Sequence, residues 1–198
     1  MTGVQTCALP ISFFDCDEFL VLTKKKTIDE YLSSILFKNF DMIHLNWMCY
    51  GDSDLLECDG RTLNEMFTKP IPYDKHIAYD MPENNHIKTM IRGGVNTKTL
   101  FMDTPHTPYI VLDCCNNRGI RCNSAWPFVK YDFSEAYLKH FSTKTITDYC
   151  DKMKKGFPDQ KWDGTRAKEL IETRFFRYNV PTKEKIEIVK RELGIDMT

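Results

Sequence analysis

The feature that most constrains the fold is a short apolar run at residues 11–14 that ends in the acidic sequence Asp15-Cys16-Asp17-Glu18. An apolar run of this length predicts a buried strand, and α/β sheets carry their reactive groups where strands end. Carboxylates two positions apart point the same way on a regular strand. Because carboxylate oxygens are the ligands that Mg²⁺ and Mn²⁺ prefer, Asp15 and Asp17 are the first candidates for a cation site.

Helical and extended patterns alternate along the rest of the chain. Thr27, Thr62 and Thr145 each precede an acidic residue three positions on, the pattern of a helix N-terminal capping box. The predicted helices span 28–37, 63–67, 146–155, about 166–177 and about 183–193. The predicted strands span 11–22, 41–50, 86–92 and 136–141, and residues 100–119 are predicted to form an irregular loop, a further strand and a turn. We therefore predict one α/β domain with a mixed sheet, flanking helices and a helical C-terminal tail from about residue 157.

The first eleven residues do not fit a leader peptide, because they contain no Lys or Arg and only Ala8-Leu9 precede Pro10. They resemble one reading frame of a sequencing-library adapter. We expect residues 1–11 to be an assembly artefact and 12–198 to be the C-terminal portion of a longer catalytic domain.

Charge and cysteine content exclude several classes of function. With 27 basic and 28 acidic residues, the chain has no net field that favours nucleic acid. The region from Lys139 to Thr198 is basic, with 14 basic and 10 acidic residues, which suits either a solvated helical face or peripheral contact with an anionic membrane. The absence of an export signal predicts a cytoplasmic protein, with any such contact at the inner face of the membrane. Of the eight cysteines, Cys7 lies in the expected artefact, and the other seven are predicted to be reduced. Without a C-x-x-C pair, Cys114, Cys115 and Cys122 do not predict structural zinc.

Five segments, in this order, resemble the glycosyltransferase family 92 group and related family 2-like bacterial glycosyltransferases. They are D-C-D-E-F at 15–19, W-M-C-Y-G at 47–51, H-I-K at 86–88, P-H at 105–106 and H-F-S-T-K-T at 140–145. The resemblance implies a partial GT-A fold, the fold of nucleotide-diphospho-sugar transferases. It also implies a metal-dependent enzyme that moves a sugar from a nucleotide donor, a UDP-sugar, to a glycan or lipid-linked glycan in surface polysaccharide synthesis.

The resemblance implies a role for particular residues. Mn²⁺ or Mg²⁺ would be held by Asp15, Asp17, His106 and His140. The substrate would be bound by Asp15, Trp47, Lys88, Arg92 and Lys144. The general base that deprotonates the acceptor would be Asp52 or Asp54. Structural alternatives stay open: core packing for Trp47, a wet sheet face for Lys88 and Arg92, and a solvated loop for Asp52 and Asp54.

Two other functions remain open on the sequence. A haloacid-dehalogenase-like phosphatase would use Asp15 as nucleophile and Asp17 as general acid. A non-catalytic glycan-binding fragment would leave both acids solvated. Because GT-A enzymes bind the nucleoside through segments that precede the paired acids, we also expect this chain to bind nucleotide sugar poorly and to be marginally stable, with an exposed sheet edge.

Overall fold

The computed structural model describes residues 9–72, 76–78, 81–95, 106–107, 112–123, 127–156 and 163–197. Its strands are β1 Ile11–Ser12, β2 Glu18–Leu22, β3 Met42–Cys49, β4 His76–Ala78, β5 Met81–Pro82, β6 Ile87–Ile91, β7 Cys114–Asn116, β8 Arg121–Cys122 and β9 Ala136–His140. Its helices are α1 Ile28–Leu32, α2 Leu63–Met66, α3 Ile146–Lys155, α4 Gly164–Leu170, α5 Phe176–Tyr178 and α6 Lys183–Leu193. The fold is mixed α/β, as predicted, and no helix of this described part is long and apolar enough to cross a membrane.

The chain forms two compact units. The first consists of Met1–Met48 and Glu83–His140, and the second of Cys49–Pro82 and Phe141–Thr198. The helical C-terminal segment predicted from the sequence lies in the second unit.

A mixed sheet is the framework of the first unit. Its main path runs β1-β6-β3-β7-β8, and β9 lies beside β3 and carries β2 on its other side. β3 is antiparallel to β6 and parallel to β7. A strand with neighbours on both sides is central, and all eight residues of β3 are buried. The alternating pattern of its sequence therefore comes from buried polar residues, His44 and Asn46, and does not mark a wet face.

The paired acids do not continue a strand, which corrects the first prediction. β1 ends at Ser12, and Asp15 and Asp17 lie in the segment between β1 and β2. The Glu18 amide donates to the Asp15 carbonyl at 3.0 Å, and Glu18 Oε2 accepts from the Asp15 amide at 3.0 Å. These two bonds close a turn over Cys16 and Asp17. Carboxylates in a turn lose the strand alternation that would aim both in one direction.

The predicted capping residues all begin helices, but two helices differ in length from the prediction. Thr27 caps α1, which ends at Leu32; a separate 3₁₀ turn capped by Ser34 then spans Ile35–Phe37. The helix predicted over about 166–177 is interrupted by a π-helical turn at Ile171–Phe175 between α4 and α5. α3 and α6 match their predicted spans, with Thr145 and Thr182 as N-caps.

The core of the second unit is built from the apolar faces of its helices. Ile146, Tyr149 and Met153 recur at helical spacing on α3 and are buried. They belong to a cluster completed by Cys150, Ala167, Ile171, Phe175, Ile188 and Val189. The basic residues of this region lie mostly outside that cluster, as expected of solvated helix faces.

Candidate functional site

The acidic turn of the first unit is held by a buried lysine from the neighbouring part of the sheet. Lys88 on β6 is 1% exposed, and its Nζ lies 2.9 Å from Asp15 Oδ2 and 3.5 Å from Glu18 Oε1. The Asp15 side chain is 59% exposed, whereas the Glu18 side chain is fully buried. Lys88 was predicted to bind phosphate, but its ammonium faces two carboxylates inside the protein. Its direct role is therefore to hold the turn and keep Asp15 ionised.

Glu18 is a site residue to which the sequence assigned no role. Burial raises the pKa of its carboxyl to about 7, against the opposing effects of the Asp15 amide hydrogen bond and of Lys88. The pKa of Asp15 is lowered instead: its partial burial opposes ionisation, but Lys88, His140 and His106 together outweigh it. Two acids three residues apart thus differ in protonation near neutral pH, as acids and bases do in catalytic sites.

The raised pKa of Glu18 predicts a dependence of stability on pH. The native carboxyl holds its proton up to about pH 7, whereas the unfolded one releases it near 4.5. Glu18 therefore makes the protein progressively less stable as pH rises between these values, and its effect levels off above them. Between pH 5 and pH 8 we expect wild type to lose about 2 kcal/mol more of its free energy of unfolding than Glu18→Gln does.

Urea unfolding of both proteins across this range measures the difference. Taking the difference is necessary because His106 acts in the opposite direction: burial lowers the pKa of its imidazole. If the free energy of unfolding changed with pH in the same way in both proteins, Glu18 would be ionised throughout this range and the prediction would be contradicted.

An aromatic cluster surrounds Trp47 at the same end of the sheet. The ring of Trp47 is 4.0 Å from His140, 4.9 Å from His86 and 5.2 Å from His106, measured between centroids. Trp47 is only 7% exposed, which favours core packing, the alternative left open by the sequence, over an open face for a sugar. Its indole instead packs against three imidazoles and fixes where they lie.

His106 has the orientation that a metal-binding histidine usually has. Its Nδ1 donates to the Ile87 carbonyl at 2.8 Å, and burial lowers the pKa of the imidazole. A neutral ring whose Nδ1 carries the proton presents a lone pair at Nε2, and such a backbone bond commonly orients metal-binding histidines. His140 lies across the β2–β9 pair from Glu18.

The four predicted metal ligands share one region but do not form one tight group. Within the described ranges, Asp15, Asp17, His106 and His140 do not bring three ligand atoms to within 4.8 Å of one another. One oxygen of Asp15 is already bonded to Lys88. The arrangement fits an ion that takes one or two protein ligands and completes its shell with water and phosphate oxygens, as Mg²⁺ does.

The predicted base Asp52 lies in the second unit and is not available to a substrate. Its carboxylate is 4% exposed and forms an ion pair with the buried Lys185 on α6. Its amide donates to Asn179 Oδ1 at 2.7 Å. The same oxygen would lie 2.7 Å from a Cβ at position 51, so a larger residue there would have to displace the Asn179 side chain. These contacts favour a structural role for Asp52, and its role as the general base stays a prediction.

Asp54 and Lys144 also lie in the second unit. Both are accessible to solvent, but their surroundings give neither one a clear catalytic role. Asp54 is exposed and pairs with the exposed Lys69, whose hydrogen bond lowers the pKa of the carboxyl. A carboxylate with a lowered pKa is a weak base. Lys144 precedes α3 in the left-handed region, with φ of 51°, and its proposed contact with substrate stays a prediction.

Arg92 follows β6 in the first unit and holds backbone. Its guanidinium donates to the carbonyls of Phe37 at 2.5 Å and Lys38 at 3.1 Å. It lines a cleft of about 240 Å³ together with Asp29 and Asp41. These two hydrogen bonds explain the position of Arg92, which fixes the backbone of the turn that follows α1.

No family model matches the chain, and no curated protein and no solved structure matches it either. The resemblance to family 92 glycosyltransferases therefore stays a prediction from the five sequence segments.

Proposed function

We propose that this chain is part of a metal-dependent glycosyltransferase that moves a sugar from a UDP-sugar to a glycan or lipid-linked glycan acceptor. The observation that supports this is that residues from all five segments lie together in the first unit. Asp15 contacts Lys88, and Trp47 contacts His86, His106 and His140. Each segment thus contributes at least one residue to the same region, as expected if the five segments serve one site.

The charges of this region suit a diphosphate and its counter-ion. Asp15 is partly exposed, ionised and positioned by Lys88, so it can accept a cation at its remaining lone pairs. Asp17 is half-buried in the same turn, and His106 presents a neutral imidazole. A divalent ion held by these residues would neutralise charge on the leaving nucleoside diphosphate.

The proposal includes the GT-A fold, which the mixed sheet and the acidic turn before β2 support. The chain passes from the acidic turn directly into β2, and β2 pairs with β9. His140 lies at the end of this pair, so the turn and the histidine approach from opposite strands. Carboxylates and an imidazole that approach in this way support the proposal of a phosphate-bound cation here.

Water-proton relaxation with Mn²⁺, with and without UDP, tests the proposal and detects weak complexes. We expect UDP to enhance the relaxation signal in wild type and Asp17→Asn to weaken Mn²⁺ binding about tenfold or more. Asp29→Asn removes an exposed acid from the first turn of α1 and serves as the matched control with unchanged binding.

The other two functions give different outcomes in the same set of measurements. Hydrolysis of a generic phosphate ester that Asp15→Asn abolishes would favour the phosphatase. Glycan binding without any Mn²⁺-dependent UDP signal would favour the non-catalytic alternative. An equal loss of Mn²⁺ affinity in Asp17→Asn and Asp29→Asn would contradict a specific ion site at the acidic turn.

A further inference from the structure

Three neighbouring strands bring two thiols and an imidazole together on one face of the sheet. In the parallel β3–β7 pair, Met42 lies opposite Cys114, and His44 is two residues further along β3 on the same face. In the antiparallel β7–β8 pair, Cys114 lies directly opposite Cys122. The ligand atoms of His44, Cys114 and Cys122 all lie within 4.8 Å of one another.

A tight hairpin fixes the two cysteines in register. Asn116 Oδ1 accepts from the amides of Arg118 at 3.0 Å and Ile120 at 3.1 Å. Gly119 has φ of 73°, and a Cβ there would lie 2.6 Å from the Leu36 carbonyl oxygen. The turn therefore requires glycine, and it holds β7 and β8 at a defined offset.

The geometry points to a binding site for a thiophilic divalent ion of the zinc type, held by His44 Nδ1 or Nε2, Cys114 Sγ and Cys122 Sγ. The two sulfur atoms are 3.6 Å apart. Two thiolates on one tetrahedral zinc, each at about 2.3 Å, lie about 3.8 Å apart. The sulfurs thus already have nearly the spacing that a shared metal requires.

His44 gives the second, independent indication. It is fully buried, and neither of its ring nitrogens makes a hydrogen bond within the described part of the chain. A buried polar atom without a partner is costly, so its position calls for an explanation. A metal bound at one ring nitrogen supplies that explanation, and imidazole with two thiolates is a ligand set that zinc favours.

The protonation of the thiols agrees with this geometry. The neighbouring Cys122 thiol and then the His44 imidazole lower the pKa of Cys114, while the same contact and burial raise that of Cys122. The contact between the two thiols therefore favours loss of one proton from the pair, and the thiolate is the form that binds metal. Binding would release the second proton, so affinity should rise with pH. This site shares no residue with the proposed transferase site.

Titration of the reduced full chain with Co²⁺, an optical probe for zinc sites, tests the assignment. We expect one equivalent to produce a thiolate-to-cobalt charge-transfer band and intense visible bands of a tetrahedral ion, which Zn²⁺ then displaces. Loss of an outer hydrogen-bond partner already costs metal sites about 10–100-fold in affinity. We therefore expect Cys114→Ala, Cys122→Ala and His44→Phe to weaken binding by at least about 100-fold.

Cys115→Ala is the matched control because Cys115 is the next residue on β7, equally buried but on the opposite face. It should leave the cobalt bands unchanged. An equal loss of Co²⁺ affinity in Cys114→Ala and Cys115→Ala would overturn the assignment, and so would the absence of cobalt bands in wild type. So would reduced protein that takes up no cobalt but closes to a Cys114–Cys122 disulfide in air.

Alkylation of the wild-type chain gives an answer that does not depend on whether a variant folds. We expect stoichiometric Zn²⁺ to slow alkylation of Cys114 and Cys122 at least about tenfold and to leave the exposed Cys16 and Cys58 unaffected. Equal rates at Cys114 and Cys122 with and without zinc would overturn the proposal.

Discussion

Replacing Lys88 by Met should destabilise the protein by about 3 kcal/mol at pH 8, where Glu18 is ionised. The ammonium of Lys88 is 2.9 Å from Asp15 and 3.5 Å from Glu18, and Glu18 is fully buried. Removing the cation leaves a buried carboxylate without its counter-charge, which costs more than the ion pair itself contributes. Urea unfolding followed by circular dichroism measures the change.

Two further variants separate this explanation from a simple packing defect. Asp15→Asn should lower the free energy of unfolding by less than about 1 kcal/mol, because the Asp15 carboxylate is mostly exposed. Combining Lys88→Met with Glu18→Gln should restore at least half of the loss, since the uncharged amide needs no counter-ion. If the double variant were as unstable as Lys88→Met, lost packing of the lysine stem would be the cause.

The second large effect is expected in the other unit, where Lys185→Met should cost about 3–4 kcal/mol. Lys185 is 1% exposed, pairs with Asp52 and donates from Nζ to the Val180 carbonyl at 3.1 Å. The variant leaves Asp52 charged and buried beside Asn179. Thermal or urea unfolding at pH 7 is sufficient to detect the change.

The adjacent surface pair provides the matched comparison. Asp54 and Lys69 form an ion pair in which both side chains are 65% exposed. Lys69→Met removes the same chemical group as Lys185→Met, yet should change the free energy of unfolding by less than about 1 kcal/mol. Similar losses in the two variants would mean that burial does not control the energetics of these pairs.

Features set by neighbouring residues could be predicted from the sequence. Thr145 and Asp148 define the start of α3 through bonds within four residues, and Thr182 does the same for α6. Strands β3, β6 and β9 follow from apolar runs. The interruption of the helix at Ile171–Phe175 has no such local signature, because the segment contains neither Gly nor Pro.

Features set by pairing between distant strands could not be predicted in this way. The contact of Glu18 with Lys88 depends on where the acidic turn lies relative to β6, and the group of His44 with Cys114 depends on the register of β3 against β7. Short motifs contain no information about register. The one available signal was the N-N-R-G turn flanked by Cys114 and Cys122, which suits a hairpin with the two thiols opposite each other.

The central strand β3 carries residues of the two proposed sites on its opposite faces. His44 lies on the face of Cys114, and Trp47, three positions later, lies on the opposite face with Leu45, which pairs with Lys88. An inserted or deleted residue between His44 and Trp47 would turn one of these side chains to the wrong side. Length changes within β3 should therefore be far more damaging than point substitutions, because the spacing between His44 and Trp47 decides which face of the sheet each side chain occupies.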